Sequence, residues 1–241
     1  MSNTRISIIT AIYNAALHVP RLISSLRNQS FRDFEWIVVD GGSTDGTLHL
    51  LEQVAEIDLI VDSRQDFGIY DALNRGIKLC SGNYYLVLGV DDILYPDSIE
   101  IIHATLLKSD SDIYSFLVNS DNGIDVNAKR KWPFFYSQRA YIGAHSVGTI
   151  IRKQLHEKFG YYSKKFPIAA DQYFIKVVCD AGATVEYIDK EIGVFGSSGI
   201  SSVDTLGQLT ESLRVQIATG ERKSVQLFLF FLRILKNYKK F

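Results

Sequence analysis

Short apolar runs alternate with amphipathic stretches along the first hundred residues of the chain. Runs of β-branched and aromatic residues indicate buried strands, and apolar residues spaced three and four apart indicate helices. The alternation predicts a mostly parallel sheet with helices on both faces, and hence the α/β fold class. The predicted strands are Ile6 to Tyr13, Glu35 to Asp40, Leu59 to Asp62 and Tyr84 to Leu88, and the predicted helices lie around Leu22 to Leu26, Thr47 to Val54 and Ile69 to Cys80.

The second half of the chain is less regular. Ile113 to Asn119 predicts a strand, Asp171 to Ala181 an amphipathic helix, and further strands are expected near Val185 and Val194. The remaining segments have the Gly, Ser, Asn and Asp content of turns and loops. These segments are Ser120 to Lys131, Tyr141 to Ile151 and Gly196 to Ser202.

Asp91 and Asp92 follow the apolar run that ends at Leu88, where a buried strand is predicted to give way to a loop. Ligands gather at the carboxyl ends of strands in open α/β sheets. Adjacent carboxylates repel each other, and a hard divalent ion that also binds a phosphate would relieve the repulsion. The pair therefore indicates nucleotide chemistry, with a solvated pair of turn carboxylates as the alternative.

The composition is that of an ordinary globular protein, with 46% hydrophobic and 22% charged residues among 241. A net charge of -1 provides no overall attraction to nucleic acid, and we expect no nucleic-acid partner. Cys80 and Cys179 have neither metal-ligand nor CxxC spacing, which predicts buried, reduced thiols. Because the polar start runs directly into a strand without a signal-peptide pattern, we expect a cytoplasmic protein.

Four further features each have an ordinary structural interpretation when taken alone. The turn Asp40 to Thr47 and the segment Asp66 to Gly76 both suit the start of a helix. Asp171 precedes an amphipathic stretch, where an N-cap is common, and His145 suits a loop histidine. The turn lacks the Gly-Lys-Ser/Thr of a Walker loop and the GxGxxG fingerprint, which argues against both of those phosphate-binding mechanisms.

The same features, in this order, form a longer pattern. Its parts are Ile8 to Asn14, Gln29 to Phe31, Glu35 to Thr47, Gly68 to Ile77, Ser81 to Tyr84, Asp91 with Asp92, Ala169 to Asp171 and Gly196 to Ser201. This set resembles the family 2 glycosyltransferases of the GT-A fold. The resemblance is strong over about residues 5–100 and reappears at the last two segments.

The resemblance implies which residues bind the nucleotide and the metal. The residues that fall on the nucleotide side are Thr10, Tyr13, Asn14, Asp40, Asp66, Asp71, Asn74 and Asp91. Among them Thr10, Tyr13 and Asp40 match the base contacts, and Asp91 matches the ribose contact. Asp92 matches the metal ligand of the Asp-x-Asp type motif, which implies Mn²⁺ or Mg²⁺. Gly89 and Val90 stand where many relatives have Asp or Asn, so the strict motif is incomplete.

The resemblance also implies a reaction. Asp171 matches the family's catalytic base, and His145 and Ser198 fall on the acceptor or diphosphate side. We therefore expect an inverting, metal-dependent transfer of a hexose from a nucleoside diphosphate sugar, preferentially a UDP-sugar, to a glycan acceptor. The expected setting is bacterial O-antigen, capsule or exopolysaccharide synthesis on a polyprenyl diphosphate carrier. A sugar nucleotidyltransferase and a non-catalytic nucleotide- or glycan-binding member of the fold are the alternatives.

The resulting organisation is one GT-A domain over 1–220, followed by a C-terminal amphipathic helix over 221–241. Residues 1–112 are predicted to form the nucleotide-sugar half of the domain, and 113–220 the acceptor half. In the helix, basic and polar residues form one stripe and apolar residues form a broad arc. The uninterrupted apolar run is too short to span a bilayer, which needs about 20 residues. The segment 225–241 suits peripheral contact with the inner face of the cell membrane, or packing on the domain or on a second subunit in a homodimer.

Overall fold

The computed structural model describes residues 5–120, 132–143, 146–196 and 204–238. Eight strands form one sheet: β1 (Ile6–Ile12), β2 (Phe34–Asp40), β3 (Asp58–Ser63), β4 (Tyr84–Val87), β5 (Ile93–Leu94), β6 (Ile113–Ser120), β7 (Thr149–Arg152) and β8 (Val185–Phe195). The helices are α1 (Val19–Arg27), α2 (Thr47–Glu52), α3 (Ile69–Leu79), α4 (Ser98–Leu106), α5 (Pro133–Tyr136), α6 (Gln154–Phe159), α7 (Ala170–Asp180), α8 (Thr205–Ala218) and α9 (Lys223–Asn237). The predicted α/β class is confirmed.

The strand order is β3-β2-β1-β4-β7-β6-β8-β5. The pairs β1–β2, β1–β4, β2–β3 and β6–β8 are parallel, whereas β7 runs antiparallel to both of its neighbours and β5 runs antiparallel to β8. The prediction of a loop over Tyr141 to Ile151 is therefore wrong at its end, where β7 inserts between the two halves of the sheet. The two strands expected near Val185 and Val194 are one strand, with register shifts against β6.

Side chains on the two faces of the sheet form two cores. Ile8 and Trp36 belong to the core that includes α1, and Ile9 and Ile37 belong to the core that includes α3. This alternation along β1 and β2 buries every residue of β2. The strong apolar runs of the first half are thus explained by helices covering both faces.

The last third of the chain departs from the prediction in two places. The residue at the N-cap of α7 is Ala169, so Asp171 lies inside the first turn, and the interpretation of Asp171 as the N-cap is wrong. Helix α8 has no counterpart among the predicted elements. The C-terminal helix is present as α9, and none of the helices in the described ranges is long and apolar enough to cross a membrane.

Candidate active site

The carboxyl ends of β1, β2 and β4 lie at one edge of the sheet because these strands are parallel neighbours. Ile12, the last residue of β1, pairs with Asp40, the last residue of β2. The end of β8 reaches the same edge, where the backbone N–H of Gly196 donates to Asp92 at 2.8 Å. Motifs that are far apart in sequence therefore meet where ligands bind in open α/β sheets.

Tyr13, Gly41 and Asp66 lie together at this edge. A Cβ atom added to Gly41 would be 2.8 Å from Oδ2 of Asp66 and 3.4 Å from the ring of Tyr13, so the glycine backbone lies between the two side chains. The ring of Tyr13 is 65% exposed. An exposed aromatic ring beside a carboxylate provides a stacking surface and a hydrogen-bond acceptor, both of which suit a nucleobase.

Asp40 organises the turn that follows β2. Its carboxylate accepts the backbone N–H groups of Gly42 and Ser43, each at 3.0 Å, and the hydroxyl groups of Ser63, at 2.6 Å, and Ser43. Burial raises the pKa of Asp40, but these hydrogen bonds outweigh burial and hold the pKa below its usual value. A carboxylate has about four acceptor sites, so a base N–H would have to displace one of these internal donors.

Thr10 and Asn14 are also engaged within the protein. Thr10 is fully buried, and its hydroxyl accepts the indole N–H of Trp36 at 3.0 Å. The side-chain oxygen of Asn14 accepts the backbone N–H of Thr44 at 2.9 Å, while the backbone N–H of Asn14 donates to the hydroxyl of Ser43 at 2.7 Å. These bonds fix β1 and the turn relative to each other, and direct contact of either residue with a nucleotide stays a prediction.

Asp71 and Asn74 join α3 to the segment that precedes α7. The carboxylate of Asp71 accepts from Lys164 at 2.9 Å, and this hydrogen bond lowers the pKa of Asp71. The side chain of Asn74 donates to the carbonyl of Tyr162 at 2.8 Å and accepts the backbone N–H of Tyr162 at 2.9 Å. In this structure both side chains connect α3 to the segment before α7, and their contact with a nucleotide stays a prediction.

Asp91 and Asp92 differ in burial. Asp92 is only 1% exposed, and its two oxygens accept the backbone N–H groups of Gly89, at 2.7 Å, and Gly196, at 2.8 Å. Asp91 is partly exposed. A Cβ atom at Gly196 would be 2.4 Å from Oδ2 of Asp91, and one at Gly89 would be 2.9 Å from Oδ2 of Asp92. Only glycine at these two positions leaves room for the carboxylate pair.

The carboxylate pair fits a divalent ion whose coordination shell the substrate completes. Over the described ranges, no group of three or more His, Cys, Asp and Glu side chains could hold a metal by itself. Mg²⁺ commonly binds through one or two carboxylates, substrate phosphates and water, and Mn²⁺ prefers the same oxygen ligands. The donor set of Asp91 and Asp92 therefore suits a metal–diphosphate complex rather than a metal site built by the protein alone.

Asp171 lies in the first turn of α7, next to the N-terminal end of α3. Its Oδ1 accepts the hydroxyl hydrogen of Tyr70 at 2.7 Å, and the same hydroxyl lies 3.0 Å from the carbonyl oxygen of Ile168. Burial raises the pKa of Asp171 above its usual value, and the hydrogen bond from Tyr70 opposes part of that rise. A carboxylate with a raised pKa is a better proton acceptor near neutral pH, as a general base must be.

Glu211, on α8, holds the start of α7. Glu211 is buried, and its Oε2 accepts the backbone N–H groups of Ile168 and Ala169, both at 2.8 Å. A carboxylate there satisfies N–H groups that have no partner within the helix and complements the helix dipole. Its negative charge also contributes to the raised pKa of Asp171. Glu211 was not predicted, and its own sequence surroundings contain no signal for this role.

Arg75, on α3, contacts the ends of β2 and β3. Its guanidinium group is 3.4 Å from a carboxylate oxygen of Asp62 and donates to the carbonyl of Asp40, also at 3.4 Å. It lies 4.0 Å from the carboxylate of Asp66. Arg75 and Tyr70 both belong to the segment that carries the family resemblance, which is the signal that could have identified them. The other two predicted site residues, His145 and Ser198, lie outside the described residues.

The described geometry agrees with a comparison against known families. A model described as glycosyl transferase family 2 matches residues 7–173, which include the turn after β2, the carboxylate pair and Asp171. The chain belongs to glycosyltransferase family 2. An uncharacterized glycosyltransferase of Haemophilus influenzae is 29% identical over 202 residues, covering 76% of this chain and 62% of the relative. This chain therefore spans less than two thirds of the length of that relative.

Solved structures confirm the GT-A fold. S. aureus TarS 1-349 in complex with UDP-GlcNAc superimposes with a TM-score of 0.72 at 21% identity, covering 98% of this chain and 73% of TarS 1-349. The mannosyltransferase PcManGT from Pyrobaculum calidifontis, in complex with GDP-Man and Mn²⁺, has a TM-score of 0.66 at 17% identity, covering 87% of this chain and 62% of PcManGT. At these identities the likeness concerns the fold.

Proposed function

We propose that this family 2 chain transfers a hexose, with inversion, from a nucleoside diphosphate sugar to a glycan acceptor in a metal-dependent reaction. The observation that carries the proposal is Asp171, a partly buried carboxylate of raised pKa that accepts a hydrogen bond from Tyr70. Such a displacement requires a general base for the acceptor hydroxyl and a metal site for the leaving diphosphate.

The donor site in this proposal lies between Tyr13 and the carboxylate pair. The exposed ring of Tyr13 would stack on the base, and Asp66 would accept an N–H group from the base. Asp91 would contact the ribose. TarS binds UDP-GlcNAc and PcManGT binds GDP-Man, and we favour a UDP-sugar because TarS is the more similar of the two.

The metal part of the proposal assigns Mn²⁺ or Mg²⁺ to Asp92, with Asp91 beside it. When bound, the ion would neutralise the charge that grows on the departing diphosphate. Asp92 is fixed by two backbone N–H groups, so its carboxylate is held in one orientation before any ligand arrives. Glycine at 89 and at 196 places no side chain of its own against the two carboxylates.

The general base, Asp171, would lie on the side of the sugar opposite the metal and the diphosphate. Asp171 orients the acceptor hydroxyl and takes its proton while the oxygen attacks the anomeric carbon. The bond between that carbon and the diphosphate oxygen breaks with its electron pair, which leaves on the nucleoside diphosphate. Attack opposite the leaving group inverts the anomeric centre. The hydrogen bond from Tyr70 keeps the carboxylate oriented through these steps.

The acceptor and location parts of the proposal come from the resemblance. We propose a lipid-linked glycan on polyprenyl diphosphate as the acceptor, in bacterial surface polysaccharide synthesis such as that of O-antigen. In this proposal the protein is cytoplasmic with peripheral membrane contact through 225–241, and a homodimer through the same segment is the alternative. His145 and Ser198 belong to the acceptor or diphosphate side of this proposal.

Purified protein incubated with a panel of nucleotide sugars and Mn²⁺ tests the transferase proposal. We expect slow hydrolysis of one donor, loss of hydrolysis on chelation of the metal, and no hydrolysis by Asp171→Asn. Formation of a nucleoside diphosphate sugar from a nucleoside triphosphate and a sugar 1-phosphate, with release of pyrophosphate, would instead identify a nucleotidyltransferase. Nucleotide binding without turnover of any donor or acceptor would identify a non-catalytic member.

A further inference from the structure

Helix α9 attaches to the rest of the protein through its polar side. The buried side chain of Gln226 donates to the carbonyl of Phe134 at 2.7 Å. Arg233 donates to the carbonyl of Phe135 at 2.5 Å, and its guanidinium carbon lies 5.7 Å from the centre of the Phe135 ring. Leu229 is the one apolar residue of α9 classed as buried. Two polar side chains of α9, those of Gln226 and Arg233, therefore face α5.

The opposite side of α9 is apolar and exposed. Six residues on this side keep 37% to 63% of their surface accessible, namely Val225, Leu227, Phe228, Phe231, Leu232 and Leu235. Their spacing places them on one side of the helix, opposite Gln226 and Arg233. A helix on the surface of a globular protein normally turns its apolar face to the core, and a contiguous exposed apolar face marks an interaction site. We call these six residues the α9 outer face.

Exposed aromatic residues also lie next to α9. Trp132, which precedes α5, is 64% exposed, and Phe134 and Phe135 of α5 are partly exposed. Because α5 contacts α9 through the hydrogen bonds of Gln226 and Arg233, these rings add apolar surface beside the same helix. Aromatic residues of this kind favour the boundary between lipid headgroups and acyl chains.

The charge of this segment identifies the kind of partner. Residues 222–241 contain six Lys and Arg residues and no Asp or Glu, whereas the rest of the chain has 20 basic and 27 acidic residues. Two copies that met through their α9 outer faces would bring two strongly basic segments together, and like charges would oppose that contact. An anionic lipid surface satisfies both the apolar and the basic character of the segment.

We infer that the α9 outer face is a docking surface for an anionic lipid bilayer, on which α9 lies parallel to the membrane. Phe228 and Phe231 would enter the boundary between headgroups and acyl chains. Lys223 and Lys236, near the two ends of the helix, would contact lipid phosphates. The inference rests on the membrane contact in the proposed function and names the residues that make it. It does not rest on the transferase activity, because lipid binding needs neither a sugar donor nor a glycan acceptor.

Sedimentation of the full chain with vesicles tests this inference. We expect binding to vesicles that contain phosphatidylglycerol, weak binding to phosphatidylcholine alone, and release as salt rises, because exposed charges are screened over about 8–10 Å at moderate ionic strength. Phe228→Ser and Lys236→Glu should each weaken binding by about tenfold or more. The matched controls are Leu107→Ser, which removes a leucine that is 64% exposed on another part of the surface, and Lys108→Glu. Both controls should bind like the unmodified protein.

Three results would overturn the inference. They are no binding to anionic vesicles at low salt, an equal loss of binding in the control variants, and a concentration-dependent dimer that Phe228→Ser dissociates. The last result would identify a second copy as the partner. Melting curves and UDP binding, measured on the same samples, should be unchanged by Phe228→Ser because that ring is exposed on the side of α9 that faces away from α5. Loss of lipid binding with UDP binding retained would leave the transferase proposal intact.

Discussion

The hydroxyl group of Tyr70 donates a hydrogen bond of 2.7 Å to Asp171, although the two residues are 101 positions apart. This bond connects the start of α3, in the half of the chain predicted to bind the nucleotide sugar, with the start of α7, in the half predicted to bind the acceptor. It also opposes the rise in pKa that burial causes at Asp171. The proposed base is therefore oriented by a residue from the opposite half.

Tyr70→Phe should move the pH dependence of the reaction. Without the hydrogen bond, the pKa of Asp171 rises further, because burial is no longer opposed by that donor. The base is active when ionised, so the acidic limb of kcat/KM should shift to higher pH and kcat should fall. Donor binding should be unchanged. A pH–rate profile of the variant measures the shift.

Tyr162→Phe is the matched control for Tyr70→Phe. The hydroxyl of Tyr162 lies 3.0 Å from that of Tyr85, so its removal also deletes a buried hydrogen bond, at a cost of about 1 kcal/mol in stability. It has no hydrogen bond with Asp171, and the pH–rate profile should keep its position. Equal shifts in the two variants would contradict a specific action of Tyr70 on the base.

Asp171→Asn should abolish transfer while leaving the fold unchanged. Asn can still accept the hydrogen bond of Tyr70, and Asp171 is not the N-cap of α7, so α7 loses no cap. It cannot take a proton from an acceptor. We expect a loss of about a hundredfold or more in kcat, with normal melting and normal UDP binding. Turnover close to that of the unmodified protein would assign the base to another residue.

Replacements at Asp91 and Asp92 should differ in stability. The carboxylate of Asp92 accepts the backbone N–H groups of Gly89 and Gly196. In Asp92→Asn the NH₂ group would face one of these N–H groups and leave it without an acceptor, at a cost of about 1–3 kcal/mol in stability. Asp91→Asn changes a partly exposed side chain and should cost less. Both should weaken binding of a UDP-sugar in the presence of Mn²⁺.

Melting curves and calorimetric titrations with and without Mn²⁺ separate these two effects. A stable Asp92→Asn variant would contradict the buried position of Asp92. Unchanged Mn²⁺-dependent binding in both variants would remove the carboxylate pair from the metal site. From the sequence alone, Asp92 lies in a loop, and its replacement would be expected to leave the fold intact. The structure changes that expectation because Asp92 connects β4 to the end of β8.

The sequence predicted the strands of the first half well because their pattern is local. β1 and β2 are mostly apolar and are each followed by a helix, so the local pattern identifies them. Asp40 ends β2 and the Asp91–Asp92 pair follows β4, and because both strands run parallel to β1 these carboxylates lie along the same edge of the sheet. The contacts within the site could not be predicted from local sequence, because Asn74 and Asp71 have partners about 90 residues away in sequence.

Long-range contacts account for what the sequence could not predict. β7 is four residues long and lies within a stretch rich in Gly, Ala and Ser, so only its pairing with β4 and β6 makes it a strand. Glu211 would suit the exposed side of a helix, and its burial follows from the two N–H groups at the start of α7. The amphipathic pattern of α9 left open which of its sides packs on the protein. That choice depends on the carbonyl groups of α5, which accept hydrogen bonds from Gln226 and Arg233.

His156 should make the stability of the protein depend on pH. It is buried between the rings of Tyr161 and Phe174, and burial lowers its pKa from 6.5 to about 4. Its Nδ1 donates to the carbonyl of Gly160 at 3.1 Å, and its Nε2 accepts the hydroxyl hydrogen of Tyr85 at 2.6 Å, so the neutral ring is fully used.

The sign of this effect follows from the unfolded chain, which binds a proton at His156 below pH 6.5 while the folded protein does not until about pH 4. The stabilisation of the folded protein by the neutral His156 ring is therefore complete above pH 6.5. The free energy of unfolding falls by ~3 kcal/mol as the pH falls from 6.5 to 4. Urea unfolding at pH 7 and at pH 4.5 should show a smaller difference in His156→Gln than in the unmodified protein, even though the variant is less stable at both. His49→Gln, at an exposed position, is the control and should retain the full difference. A pH dependence unaltered by His156→Gln would mean that this ring is protonated in the folded protein as readily as in the unfolded chain.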